Sequence, residues 1–417
     1  MSGNREARPG ITRRQVLASA GALAGGAAAM ASCKYGTQRF LIQSPPPAES
    51  QSPEWSESRV RRYRPLGRTG FEISDISFGC AGLSDPAVAR RALERGVNYF
   101  DTSPDYSNTS SERALGEAMR GFPRDRVFVA SKFCTARGHL PSDTSVARVI
   151  EAVEASLRRL ETDYLDLVHI HAVNSVERLM APNIHEAFDR LREAGMVRFL
   201  GVSSHTPDLE TVMRRAVASG RFDVIMVAYH FKHWPALTEI FGEARERGVG
   251  VVAMKTLKGA YHTKLADFTP TERESFAQAA FKWVLSNPDV SGLVVSIREF
   301  RQIDEYLQAS GRALSGDDVA TLETYDRLVT GDYCRTGCGA CLDRCPHEVP
   351  VDDLLRYRMY YENYGREKEA LRLYSRVPEE RRADRCAGCP APCLEACEFD
   401  VPIRERLLEA DRLLRLG

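Results

Sequence analysis

The residues most suited to chemistry are cysteines, in two runs near the C-terminus. Cys334, Cys338, Cys341 and Cys345 form the first, and Cys386, Cys389, Cys393 and Cys397 the second. The first cysteines of the runs stand 52 residues apart (334 to 386), as do the last (345 to 397). Both runs also end alike, Cys345-Pro346-His347-Glu348-Val349-Pro350-Val351 beside Cys397-Glu398-Phe399-Asp400-Val401-Pro402-Ile403. This is an internal repeat carrying four thiolates per copy. Thiolates are soft ligands that suit iron–sulfur clusters or zinc, and structural zinc sites and disulfides are the competing readings.

A second constellation is spread along the middle of the chain: Asp101, Tyr106, Lys132 and His171. Singly, these are a turn cap, a rim filler, a surface lysine and a structural histidine. They gain meaning from the elements that must position them. Short β-branched runs at 76–80, 99–102, 127–132, 165–171, 197–203, 222–229, 250–255 and 292–297 alternate with amphipathic segments at 87–95, 146–160, 185–193, 209–218 and 272–285. The last of these segments opens on the capping box Thr269-Pro270-Thr271-Glu272. Alternation of this kind predicts parallel βα units, and eight of them over about 250 residues predict an α/β fold, a closed (β/α)8 TIM-type barrel. A doubly wound open sheet is the alternative, opposed by the lack of a Gly-x-Gly-x-x-Gly turn after the first strand. In a barrel, catalytic groups sit at the C-terminal strand ends, and the four polar residues fall there or in the next loop.

The motifs Phe100-Asp101-Thr102-Ser103 with Tyr106, Ser111-Glu112-Arg113-Ala114-Leu115-Gly116, Val127-Phe128-Val129-Ala130-Ser131-Lys132 and Asp163-Tyr164-Leu165-Asp166-Leu167-Val168-His169-Ile170-His171 resemble the aldo-keto reductases. So does Leu66-Gly67-Arg68-Thr69-Gly70, which in that family plugs the barrel floor; the likeness runs from about Tyr63 to Tyr325. The resemblance implies reduction of a carbonyl by hydride from NADP(H) or NAD(H). Tyr106 is then the proton donor, Lys132 the group that lowers its pKa, Asp101 the partner of Lys132, and His171 the residue that orients the carbonyl. His169, on the same strand face as His171, reads as a core histidine. The implied cofactor contacts are Ser203, Ser204, Met226, Tyr229, Lys255, Ser296, Arg298 and Gln302, with Arg298 or Arg301 pairing a 2′-phosphate and Tyr229 stacking on the nicotinamide. Met226 stands where the family has glutamine and cannot supply its hydrogen bonds. Tyr306 stands where an adenine-contacting asparagine is common.

The cysteine repeat resembles the two-cluster bacterial ferredoxins, with one residue inserted in each run. That likeness implies two 4Fe-4S clusters, one held by Cys334, Cys338, Cys341 and Cys397, the other by Cys386, Cys389, Cys393 and Cys345. Aldo-keto reductase-like chains with such a module form a recognisable branch, which this chain resembles. Between the runs, Tyr357, Tyr360, Tyr361, Tyr364 and Tyr374 recur near helical spacing with arginines. An amphipathic helix packing on the barrel is favoured over a redox-partner surface. Cys80 and Cys134 read as buried apolar cysteines.

At 417 residues, with lysine plus arginine balanced by aspartate plus glutamate at 57 each, the chain has no global basic field for nucleic acid. Arg13-Arg14 leads into a weakly apolar Ala/Gly run ending at Met30, which predicts a twin-arginine leader and passage through that export machinery. Met30-Ala31-Ser32-Cys33 resembles a lipobox, so Cys33 is a candidate lipid anchor and the only expected link to a membrane, with ordinary cleavage after Ala29-Met30-Ala31 as the alternative. The expected organisation is a leader over 1–33, a Ser/Pro/Gln/Glu-rich linker over 34–61, the barrel over 62–328 and a small α-rich ferredoxin-like domain over 329–417. The expected function is an exported oxidoreductase of the periplasm or cell envelope, joining carbonyl or alcohol chemistry to one-electron exchange with a redox protein partner. The competing reading is an electron-transfer or binding protein whose barrel no longer turns over nicotinamide. Free nicotinamide nucleotides are not expected outside the cytoplasm, and the altered cofactor contacts point the same way.

Overall fold

The computed structural model describes residues 58–205, 208–232, 236–257, 275–328, 331–335, 338–363 and 366–415. The expected leader, Cys33, most of the linker, the capping box at 269–272 and Tyr364 lie outside the described residues.

The strands are β1 (Tyr63–Pro65), β2 (Glu72–Ser74), β3 (Ile76–Gly79), β4 (Tyr99–Asp101), β5 (Phe128–Lys132), β6 (Cys134–Thr135), β7 (Gly138–His139), β8 (Leu165–Ile170), β9 (Val197–Ser204), β10 (Val224–Ala228), β11 (Gly250–Met254) and β12 (Gly292–Ser296). The helices are α1 (Pro86–Glu94), α2 (Ser110–Met119), α3 (Val146–Leu160), α4 (Val176–Leu179), α5 (Pro182–Glu193), α6 (Leu209–Ser219), α7 (Ala236–Glu246), α8 (Phe276–Leu285), α9 (Phe300–Leu307), α10 (Gly316–Leu328), α11 (Val351–Asn363), α12 (Glu367–Tyr374) and α13 (Ile403–Leu414).

Strands β3, β4, β5, β8, β9, β10, β11 and β12 form one closed parallel barrel in chain order. β12 returns to β3 with Val294 opposite Ser77, which closes the ring. These are the eight strands read from the sequence, a residue or two shorter at several ends. The period-2 rule assigns their side chains. Leu66, Tyr99, Phe128, Leu167, Val224, Met226, Val252 and Val294 pack in an inner core. Alternate residues such as Phe78, Phe100, Val168, Val202, Ile225 and Val227 join the larger core beneath the helices.

Local chemistry sets the boundaries. Asp85 caps α1, its carboxylate accepting from the Ala87 amide at 2.9 Å, with Pro86 in the first turn. β1 and β2 pair antiparallel with Tyr63 opposite Ser74, and the turn between them puts fully buried Leu66 beneath the barrel. Gly67 there has φ +52°, and a Cβ would lie 2.3 Å from the Gly250 nitrogen, so only glycine fits under β11. The chain engages the barrel earlier than the expected boundary at 61/62. Ser58 Oγ donates to Gln308 at 3.1 Å, and the Val60 amide to the Arg95 carbonyl at 2.9 Å.

Beyond α10 the chain is cysteine-rich and helical. α11, α12 and α13 share a core that includes Leu354, Tyr360, Tyr374, Ala383, Val401, Leu407 and Leu414, with Cys341, Cys386 and Cys393 among its buried members. Tyr374 donates to Asp411 inside it. Among the described residues, no helix is long and apolar enough to cross a membrane.

Candidate active site

Asp101 ends β4 and Lys132 ends β5, so both side chains emerge at the C-terminal rim of neighbouring strands. Lys132 Nζ donates to Asp101 Oδ1 and to the Thr102 carbonyl, each at 2.7 Å, with both side chains almost fully buried. Asp101 Oδ2 has no hydrogen-bond partner. Burial raises the Asp101 carboxyl, and the Lys132 ammonium opposes that shift. Tyr106 opens the first turn after β4, and the Lys132 ammonium lies 5.0 Å from its ring centroid. His171 follows directly on β8, its ring edge-on to Tyr106 at 6.2 Å between centroids. The four polar residues singled out in the sequence therefore meet at one rim.

The Tyr106 phenol lies well above its ordinary value. Burial is the largest cause, followed by the Asp101 and Asp105 carboxylates, while Arg366 opposes them. The ammonium is committed to Asp101 and the Thr102 carbonyl. His171 is held well below its ordinary value by burial first and then by His139 and Lys132, so its imidazole is neutral. His169 is fully buried with its ring against Gly201, where a Cβ would lie 2.5 Å from Nδ1. A glycine on β9 thus makes room for this core histidine.

The expected cofactor residues divide. Ser203 Oγ accepts from the Ala172 amide at 3.0 Å, which leaves its hydroxyl proton for a donor role. Ser204 Oγ donates to the Val173 carbonyl at 2.8 Å. Met226 is buried in the inner core. Tyr229 is corrected: its ring packs outward against Phe241 and Trp283, at 5.0 and 5.1 Å, because strand alternation turns it toward the helices. Its hydroxyl accepts from Asn287, so it does not offer a face to a nicotinamide. Gln302 is corrected too. Its side-chain oxygen accepts from the Arg298 and Glu299 amides, forming the capping box of α9. Tyr306 is buried edge-on to Phe281 and serves the core. Ser296 is half-buried at the end of β12, and exposed Arg298 lays its guanidinium over Gly82. A hydroxyl donor at the inner end and a cation before α9 fit the amide and phosphate ends of a dinucleotide.

Lys255 lies outside the cofactor-binding role expected of it. It follows β11 with φ +57°, and its Nζ donates to the Tyr360 hydroxyl at 2.8 Å. Burial alone raises the Tyr360 phenol, but Lys255 and Arg356 outweigh it and hold the phenol below its ordinary value. Helix α11 thus packs on the barrel, as its tyrosine spacing implied.

The cysteines form two quartets that cross between the runs. Cys334, Cys338, Cys341 and Cys397 line a single cavity, together with Val351, Leu355 and Phe399. Burial and then Cys345, Cys393 and Cys389 push the Cys386 thiol up to about 12. Burial first and then Cys345 also raise Cys393. Four thiols beside apolar walls fit an iron–sulfur cluster.

The sequence reading missed Asp105 and His139, which close on Cys134 and His171 at the rim. Their loops carry no periodic signal. Only the placing of Asp105, Cys134 and His139 in loops after consecutive strands hinted at convergence.

Comparison with known proteins bears on the barrel. Residues 86–274 match the model of the aldo/keto reductase family. L-galactose dehydrogenase of Arabidopsis thaliana is 28% identical over 302 residues, covering 64% of this chain and 93% of that protein. The uncharacterized oxidoreductase YqkF of Bacillus subtilis is 25% identical, covering 64% of this chain and 97% of its own. Among solved structures, the holo form of the aldo-keto reductase AKR11C1 from Bacillus halodurans superposes with a TM-score of 0.52 at 25% identity, over 63% of this chain and 95% of that one.

Proposed function

We propose that this chain, whose residues 86–274 match the model of the aldo/keto reductase family, is an exported oxidoreductase that reduces a small-molecule carbonyl, or oxidises the corresponding alcohol, with NADP(H) or NAD(H). The observation that carries this reading is the buried Asp101–Lys132 pair beneath Tyr106, with His171 edge-on to the same phenol.

When bound, a reduced nicotinamide supplies the hydride to the carbonyl carbon. Tyr106 delivers the proton to the carbonyl oxygen, and neutral His171 donates a hydrogen bond that orients that oxygen. Lys132, anchored by Asp101, stabilises the phenolate left behind. Ser203 and Ser296 hold the inner end of the dinucleotide, and Arg298 its phosphates. Cys334, Cys338, Cys341 and Cys397 hold one 4Fe-4S cluster, and Cys386, Cys389, Cys393 and Cys345 the other. Such clusters supply one-electron exchange, which a two-electron hydride step does not need, so a redox protein partner belongs to the proposal. The leader takes the folded chain through the twin-arginine machinery to the periplasm or cell envelope, with Cys33 as a lipid anchor.

A second reading, an electron-transfer or binding protein, is favoured by Met226 in the inner core and by the Ser204 hydroxyl, which is spent on the Val173 carbonyl. Anaerobic titration of the mature, cluster-loaded protein with NADPH and NADH separates the two. Tight binding seen in nicotinamide fluorescence, with bleaching of the cluster absorbance, supports the reductase. No binding at millimolar nucleotide sinks it and leaves the second reading.

A further inference from the structure

The loops at the barrel mouth bring together a donor set that the carbonyl chemistry does not use as a set. Asp105 comes from the turn after β4, and His171 follows β8. Cys134 and His139 face one another across the antiparallel hairpin β6–β7, immediately after β5. One ligand atom from each of Asp105, Cys134, His139 and His171 lies within 4.8 Å of every other. The two imidazole rings are 4.2 Å apart, and His139 Nε2 is 3.9 Å from Asp105 Oδ2. Cys134 is buried, and His171 Nδ1 is buried without a hydrogen-bond partner, an unusual state for a polar atom.

We propose that Asp105, Cys134, His139 and His171 form a binding site for a divalent metal of the zinc type at the mouth of the barrel. One sulfur, two imidazole nitrogens and one carboxylate oxygen make a borderline-soft set suited to tetrahedral Zn2+, whereas Mg2+ and Ca2+ favour oxygen ligands. With bonds of about 2.0–2.3 Å, ligand atoms of a tetrahedral zinc site stand about 3.5 Å apart. The ligand atoms here lie within 4.8 Å of one another, and side-chain rotation draws them in to that size. Binding displaces the Cys134 thiol proton to solvent and leaves a metal-bound thiolate. The site shares His171 with the proposed carbonyl chemistry but does not require nicotinamide turnover. Its other three ligands sit in the turn after β4 and on the β6–β7 hairpin, which carry no expected cofactor residue.

The test is a titration of the full chain with Co2+, then Zn2+, in the wild type, His139→Gln and Cys134→Ser. The eight C-terminal cysteines are the same in all three proteins, so the metal they take cancels in the comparison. The wild type is expected to hold one more equivalent per chain than either variant. The wild-type minus Cys134→Ser cobalt spectrum should carry a thiolate-to-cobalt charge-transfer band. The His139 side chain is 37% exposed, so His139→Gln reports on the site even where Cys134→Ser fails to fold. Equal metal content in the wild type and folded His139→Gln, or no difference band with folded Cys134→Ser, overturns the proposal.

Discussion

Tyr106 carries the heaviest demand of any single residue, because its phenol must give up a proton while held above its ordinary pKa. Tyr106→Phe removes that proton and should lower carbonyl reduction by about 10²–10⁴-fold, measured as NADPH oxidation with an aromatic aldehyde, while leaving iron content unchanged. The pH dependence has a definite sign. Because burial, Asp101 and Asp105 raise the phenol, its acid form persists beyond the ordinary value of about 10. Reduction should keep its rate through that range and fall only above it, whereas alcohol oxidation, which needs the phenolate, should climb with pH there. A basic limb well below 10 in the reduction profile would assign it to another group. Lys132→Met leaves Asp101 charged and buried without its partner, and urea unfolding should read a loss of about 3–5 kcal/mol. These residues were legible in the sequence because each closes a predicted strand or opens the loop after one. The direction of the Tyr106 shift was not, because it depends first on how deeply the rim buries the phenol and then on the Asp101 and Asp105 carboxylates.

Among the elements, the β1–β2 turn and helix α11 close the two ends of the barrel in different ways. At the floor, Gly67→Ala forces a Cβ to 2.3 Å from the Gly250 nitrogen at a left-handed φ. Thermal melting should fall by the equivalent of more than about 1 kcal/mol, beyond the ordinary cost of a surface change. At the mouth, Tyr360→Phe leaves the Lys255 ammonium without the hydroxyl it binds. The variant should lose about 1–3 kcal/mol, with faster proteolysis near α11 than in the wild type. The barrel strands and five of the helices, α1, α3, α5, α6 and α8, could be placed from periodicity alone. The role expected of Gln302 could not, because the turn that starts α9 takes up its side-chain oxygen, whereas strand parity with inward Met226 already places Tyr229 outward.

At the scale of the whole molecule, the two cysteine runs cross, and that crossing has a measurable consequence. Cys397 lies with Cys334, Cys338 and Cys341 around one cavity, although it is the last cysteine of the other run. Cys397→Ser should therefore remove the cluster assigned to the first run, lowering iron and acid-labile sulfide by about four each per chain. Cys345→Ser should do the same for the cluster assigned to the second run. Bound zinc without sulfide in the wild type would replace both clusters with structural metal sites.

From the sequence alone came the parallel barrel, its eight strands, the rim that carries Asp101, Tyr106, Lys132 and His171, and the repeat that groups the cysteines by fours. These follow from short-range rules, namely strand alternation, helical period and ligand spacing, which act along the chain. The tertiary structure decided what those rules do not reach. It buried the Tyr106 phenol and so raised it, seated Tyr360 on Lys255, and drew Asp105, Cys134, His139 and His171 together. Each of these depends on through-space distances between residues far apart in the chain, which no period or spacing along it encodes.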